Sequence, residues 1–99
     1  MTTYFVSRHP GAVAWARRGN LPVDQFLSHI DNDTPLHTGD KVIGNLPVGL
    51  AAYVCASGAQ YWQLQVLVPF ELRGQELSVN QLTELGAHVS RYHVAPAAT

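Results

Sequence analysis

Charge is what this chain has least of. Asp, Glu, Lys and Arg make up 13% of its residues, against about 25% in a typical domain. Six basic residues face seven acidic ones, for a net charge of −1 with histidine neutral. A protein that grips duplex DNA or RNA by its phosphates usually shows a strongly basic patch, so no such partner is expected. A small nucleotide needs only a few well-placed cations and stays open as a ligand. Cysteine is scarce too: Cys55 stands alone, which excludes a disulfide within the chain. Its surroundings in sequence are apolar, and an inert core thiol is the reading that fits. No apolar run approaches the ~20 residues of a membrane span. No basic stretch followed by an apolar one marks a signal peptide. The expectation is a cytoplasmic protein with no membrane partner. Metal-ligand spacing is also missing. His88 and His93 lie five apart, not four, and no cysteine pair accompanies them. No resident metal or cofactor is expected. His29 with Asp31 and Asp33 could gather a divalent ion, although turn chemistry accounts for the two aspartates.

What is there is a small, core-forming chain. Its 99 residues make a single domain, 1–99, in which 95–99 read as a loose tail. At 46% apolar residues it can build a core, but a chain this short buries only about 60–65% of its unfolded surface. Self-association would help it, and sparse charge with two tryptophans is consistent with a covered face.

The apolar pattern alternates between strand and helix. Residues 3–7 read as a short buried strand, and Pro10 opens a helix that Gly19 stops. Residues 23–30 form a short strand before polar turns at 31–35 and 38–40. Residues 41–45 are a strand, and Pro47 opens a helix over 48–56 that is apolar nearly all round and ends at Gly58. Residues 60–68 are the strongest strand, and their apolar second half suits a central parallel position. Ser78 is a candidate cap for a last helix, in which Val79, Leu82, Leu85, Val89 and Tyr92 recur at near-helical spacing. The order strand, helix, strand, strand, helix, strand, helix predicts an α/β fold with a small, mostly parallel sheet flanked by helices.

In such sheets ligands bind beyond the strands' C-terminal ends. Two segments fall there: Ser7-Arg8-His9-Pro10-Gly11 after the first strand, and the Asn45 segment before Pro47. Guanidinium and imidazole suit phosphate chemistry. Arg8 is therefore a candidate for charge stabilisation and His9 for proton transfer, as the catalytic pair. Ser7, Pro10, Gly11 and Asn45 are candidates for ligand binding. Arg73, beside Gly74 in an irregular stretch, is a further candidate for closing over an anion. Each has a plainer reading. Arg8 could pair with an acid and His9 cap its turn. Arg73 could pair with Glu71 or Glu76, which read as solvated loop charges. Arg-His after a first strand also occurs in histidine phosphatases, but here Pro10 replaces their glycine and the chain is shorter than that fold needs.

Three segments together carry a family likeness: Ser-Arg-His-Pro-Gly-Ala at 7–12, Gly-Asp-Lys-Val-Ile-Gly-Asn-Leu-Pro at 39–47 and Glu-Leu-Arg-Gly-Gln-Glu-Leu at 71–77. In this order and spacing they resemble the small CRISPR-associated Csx-sixteen family, as does the stretch 51–62. The resemblance implies a Rossmann-like fold similar to CARF-type sensor domains. It also implies a role in type III CRISPR defence, as a ring nuclease that opens the messenger cyclic tetra-adenylate (cA4) and switches the signal off. The expected partner is thus cA4, held at the two-fold axis of a homodimer, where each site residue occurs twice. The expected route is metal-independent attack by a ribose 2′-OH, giving linear products with a 2′,3′-cyclic phosphate. A protein that sequesters the messenger without cutting it would use the same contacts, and an unrelated nucleotide-binding regulator is a third reading.

Overall fold

A computed structural model of the chain describes residues 1–98. Of the tail expected over 95–99, residues 95–98 are exposed and lack regular structure, and Thr99 lies outside the described residues. The chain runs β1 (Thr3–Val6), α1 (Pro10–Arg18), β2 (Gln25–Leu27), β3 (Lys41–Gly44), α2 (Val48–Ala56), β4 (Gln60–Gln65), a 3-10 turn (Phe70–Leu72), α3 (Val79–Glu84) and β5 (His88–Tyr92). The sheet order is β2-β1-β3-β4-β5. The pairs β1–β2, β1–β3 and β3–β4 are parallel, and β5 is antiparallel to β4. This is a Rossmann-like α/β domain, as the alternating pattern predicts.

Strand alternation sends side chains to two cores. On one face Val6, Val42 and Tyr61 pack with Ala51 and Val54 of α2 and with Ile30. On the other, Phe5, Ile43 and Leu64 pack with Ala12 and Ala16 of α1 and Leu82 of α3. Arg18 on α1 donates to Asn80 on α3 at 2.7 Å, tying the two helices of that layer. α2 is apolar nearly all round, as its sequence reads, yet the fold buries only part of it. Ala51 and Val54 are inside, whereas Val48 stands 75% exposed.

Two expectations are corrected. The single last helix is a short helix followed by a strand. Gly86 adopts φ +76, a left-handed conformation that glycine takes without a Cβ clash. Its N–H donates to Thr83 O at 3.1 Å, and Ala87 N–H to Leu82 O at 3.0 Å. These paired bonds form a Schellman stop. Val89 and Tyr92 then face β4, opposite Leu64 and Tyr61. The second correction concerns the apolar run 66–68, which leaves the sheet. The last pair of the β4–β5 ladder is Gln65 with His88, and beyond it Leu67 is 85% exposed.

Two buried polar groups lock the sheet's ends. Asp40, 3% exposed, is the buried charged residue of the described chain. Its carboxylate accepts from Thr2 N–H at 2.8 Å and His37 N–H at 3.0 Å. The adjoining backbone continues the clamp, with Lys41 N–H to Thr2 O at 2.9 Å and Gln60 N–H to Asp40 O at 2.7 Å. At the opposite end of the strands, the buried Tyr61 hydroxyl accepts from Leu46 N–H at 3.1 Å and lies 3.4 Å from Gly44 O. This bond fixes the turn from β3 into α2. Burial pushes the Tyr61 phenol up, and the bond from Leu46 opposes that shift. Tyr61 is therefore a neutral donor and acceptor at physiological pH.

Two stability predictions follow from these groups. The backbone donors Thr2 and His37 hold the Asp40 carboxyl below its usual value. The charged form is thus favoured by folding. Its contribution is complete above the ordinary carboxylate range and disappears as pH falls through the lowered folded value. Asp40→Ala should cost about 2 kcal/mol at neutral pH, and urea midpoints of variant and parent should converge toward acid pH. Tyr61→Phe leaves the Leu46 N–H without its partner, at a cost of about 1–3 kcal/mol. Hydrogen exchange should quicken at Leu46 in that variant more than at the residues of β3.

Candidate functional site

β1 is flanked by β2 on one side and β3 on the other. The connections leaving β1 and β3 therefore diverge, α1 to one face and α2 to the other. A crevice opens between them at the strands' C-terminal ends, the topological switch point of the sheet. The structure holds a cleft of about 650 Å³ there, within the ~300–1,000 Å³ range of small-molecule sites. Its polar rim comes from three successive strand ends. Ser7, Arg8 and His9 follow β1, Ser28 and His29 follow β2, and Asn45 follows β3, with Gln75 and Glu76 arriving from the loop before α3. Val6, Ile30, Leu46, Leu50, Leu64 and Leu82 form much of its apolar floor and walls.

Local sequence explains the turn after β1. Ser7 continues the ladder by donating its N–H to Leu27 O at 2.9 Å, and its Oγ accepts from His9 N–H at 3.1 Å. That side-chain turn lets Pro10 start α1 with His9 as the N-cap residue. No side chain caps α1 or α2, and neither carries an acid in its first turn. The first turns of both helices reach the cleft, through His9 and Ala12 for α1 and through Pro47 and Leu50 for α2. In α1 Pro10 has no N–H, and Ala12 and Val13 donate theirs to His9 O at 3.1 and 3.2 Å, so Gly11 supplies the first-turn N–H left over. The aligned peptide dipoles of both helices point their positive ends at this side of the sheet.

The side chains divide as follows. Arg8 is exposed and makes no ion pair or hydrogen bond among the described residues. The acid that could have claimed it belongs instead to His9: both oxygens of Glu76 lie 3.0 Å from His9 Nδ1. Asn45 is exposed on the rim. Ser7 is half-buried, its hydroxyl engaged in the turn.

Three other candidates sit elsewhere. Pro10 does not line the cleft and serves to start the helix. Gly11 does not line it either; a Cβ there would stand 1.9 Å from Leu77 O, so its role is to let the Leu77 backbone lie against α1. Arg73 lies in a neighbouring shallow depression, with Nε 3.4 Å from Val68 O, and pairs with neither Glu71 nor Glu76. Gln75 and Leu77 border both hollows.

Two cleft residues escape sequence reading. Glu76 looks like a solvated loop charge, and its partner is 67 residues away. His29 reads as the end of a strand or, with Asp31 and Asp33, as a candidate ligand for a divalent ion, yet it stands on the rim, its Nδ1 3.2 Å from Ser28 Oγ. The only local clue to His29 is its place just after a strand that runs parallel to β1. Asp31 does shape a turn, accepting from Asp33 N–H at 2.9 Å and from the Thr34 hydroxyl at 3.3 Å. Among the described residues, no three His, Cys, Asp or Glu side chains gather as a metal-binding group.

A cleft at a Rossmann-like switch point, with an imidazole and a guanidinium free of partners among the described residues on its rim, has the chemistry that a nucleotide or another phosphate ester would need. No helix of the described chain is long and apolar enough to cross a membrane. No curated protein and no solved structure matches the chain. Residues 4–95, however, match the family described as "Putative CRISPR-associated protein (Cas_VVA1548)". That match spans nearly the whole chain, which therefore belongs to this CRISPR-associated family.

Proposed function

We propose that the protein is a ring nuclease that binds and opens cyclic tetra-adenylate, the messenger of type III CRISPR defence. The observation that carries this reading is the convergence of Arg8, His9 and two uncapped helix N-termini on one cleft. The CRISPR-associated family and the likeness of residues 7–12, 39–47 and 71–77 to the Csx-sixteen ring nucleases support the choice of substrate. A ring of four nucleotides is too large for a single cleft of about 650 Å³. A homodimer with the two clefts facing across a two-fold axis would give every phosphate a set of partners.

The chemistry is a transesterification. A ribose 2′-OH attacks its neighbouring phosphorus, the O2′–P bond forms, and the P–O5′ bond breaks. The 2′ proton is lost and O5′ gains one, so no water is consumed and the product is a linear oligoadenylate with a 2′,3′-cyclic phosphate. Arg8 and the helix N-termini stabilise charge on the non-bridging oxygens. His9 moves a proton, while Ser7 and Asn45 hold the backbone of the ring so that attacking and leaving oxygens are in line. Arg73 closes on the ring from the neighbouring depression.

The test is a single-turnover incubation with cyclic tetra-adenylate, with and without EDTA, resolved by liquid chromatography and mass spectrometry. The expected products are linear and carry a cyclic phosphate in both arms. His9→Ala should slow cleavage roughly 10²- to 10⁴-fold while still binding the ring, and Arg8→Ala should weaken both binding and cleavage. An intact ring bound by folded protein would make this a sequestering module. A ring neither bound nor cut would remove the messenger from the reading altogether. Sedimentation with and without the ring checks the dimer.

A further inference from the structure

The pairing of His9 with Glu76 has no counterpart in the sequence pattern. Both carboxylate oxygens lie 3.0 Å from the same ring nitrogen, Nδ1. An ionised carboxylate only accepts hydrogen bonds. Nδ1 therefore carries the proton, and in the neutral ring Nε2 is the bare nitrogen. A proton-transfer group needs its free nitrogen turned away from the group that orients it.

We propose that Glu76 is a positioning residue for His9: it selects the Nδ1–H tautomer, leaves Nε2 free to exchange a proton with the ligand, and stabilises the imidazolium that results. This deepens the ring-nuclease reading and, for its catalytic consequence, rests on it.

The loop that carries Glu76 is anchored for this task on both sides of the contact. Glu76 is two residues before Ser78, the N-cap of α3. Ser78 Oγ accepts from Gln81 N–H at 3.2 Å, and Gln81 Oε1 accepts from Ser78 N–H at 2.9 Å, closing a capping box. Leu77, between them, packs into the α1–α3 core, and its carbonyl lies where a Gly11 side chain would be. Gly11 thus brings the loop against the first turn of α1, two residues after His9. A structural purpose for the ion pair is weak by comparison. The His9 and Glu76 side chains are 71% and 56% exposed, and a pair this open to water adds little to stability.

That exposure makes Glu76→Ala a clean variant, since the fold should not change. The first measurement is the tautomer of His9 in the free protein, by long-range proton–nitrogen correlation at a pH where imidazole is neutral. The His9 signals are assigned with His9→Ala. The parent should show the Nδ1–H form. Glu76→Ala should shift the ring toward Nε2–H, and Glu76→Gln, whose amide oxygen still accepts from Nδ1, should retain much of the parent pattern.

The second measurement is the single-turnover pH profile with cyclic tetra-adenylate. Glu76→Ala should lower the rate roughly tenfold or more, less than loss of His9 itself. It should move the His9-dependent limb of the profile and leave binding of the ring nearly unchanged. Gly11→Ala, if it folds, should reproduce both changes and add little in the double variant with Glu76→Ala. An unchanged tautomer in Glu76→Ala would overturn the assignment whatever the rates. A changed tautomer with an unchanged pH profile would overturn its catalytic meaning. A parent protein that shows the Nδ1–H form but never cuts would refute the ring-nuclease reading and with it the catalytic role, while supporting Glu76 as the group that sets the tautomer.

Discussion

The site depends on the position of β1 inside a parallel sheet. Because β2 and β3 lie on opposite sides of β1, the chain must leave β1 toward one face and β3 toward the other. Nothing can fill the space between those two departures without a further element, so the cleft results from strand order. The same arrangement points the N-termini of α1 and α2 at one place. Two buried polar groups act near the ends of the strands: Asp40 just before β3, and the hydroxyl of Tyr61, whose backbone lies inside the ladder opposite Val42. Asp40 gathers backbone donors at the N-terminal end, and Tyr61 holds the β3–α2 turn at the C-terminal end. The first keeps the strands in register. The second sets the angle at which α2 enters the cleft wall.

Much of this was legible locally. Proline at the start of α1 and α2, glycine or a small residue at their ends, and alternating apolar strands are signals within ten residues of one another. They placed β1, α1, β3 and α2 nearly to the residue. They also placed Arg8, His9 and Asn45 at strand ends, where the structure finds them on one rim. The failures have a common cause. Leu82, Leu85, Val89 and Tyr92 fit helical spacing, but Val89 and Tyr92 are claimed by pairing with β4, a contact between distant segments, once Gly86 has stopped the helix. Gly11 reads as backbone approaching an anion, whereas the backbone that approaches it is that of Leu77. Glu76 is invisible from its neighbours because its meaning lies in His9. Local periodicity can name a strand end but cannot say which loop will return to it.

The scarcity of charge bears on how such a site can attract an anion. With a net charge of −1, the molecule as a whole offers a phosphate no long-range attraction. The field at the cleft is made at short range, from Arg8 and from amide dipoles at two helix ends that lack both acidic residues and side-chain caps. Such dipoles are fixed in direction by the helices and act within about one turn. They favour a ligand that reaches the cleft floor and contribute little to loose surface binding. Sparse charge and selectivity for a small phosphate ester are therefore compatible, where a lysine-rich face would hold nucleic acid of any kind.

Glu76 fits this economy. An isolated carboxylate on the rim would cancel much of the field from Arg8 and the helix ends. Held against His9, it shares its charge with an imidazole that can become cationic, and the pair is then neutral as a unit. On the ring-nuclease proposal, the rim would keep its attraction for an anion while His9, its ring oriented by Glu76, would serve as the proton-transfer group. A second imidazole, His29, stands on the same rim at the end of β2 without a carboxylate partner. Among the described residues the two rings thus differ in their surroundings by one carboxylate, which lies 3.0 Å from His9 Nδ1.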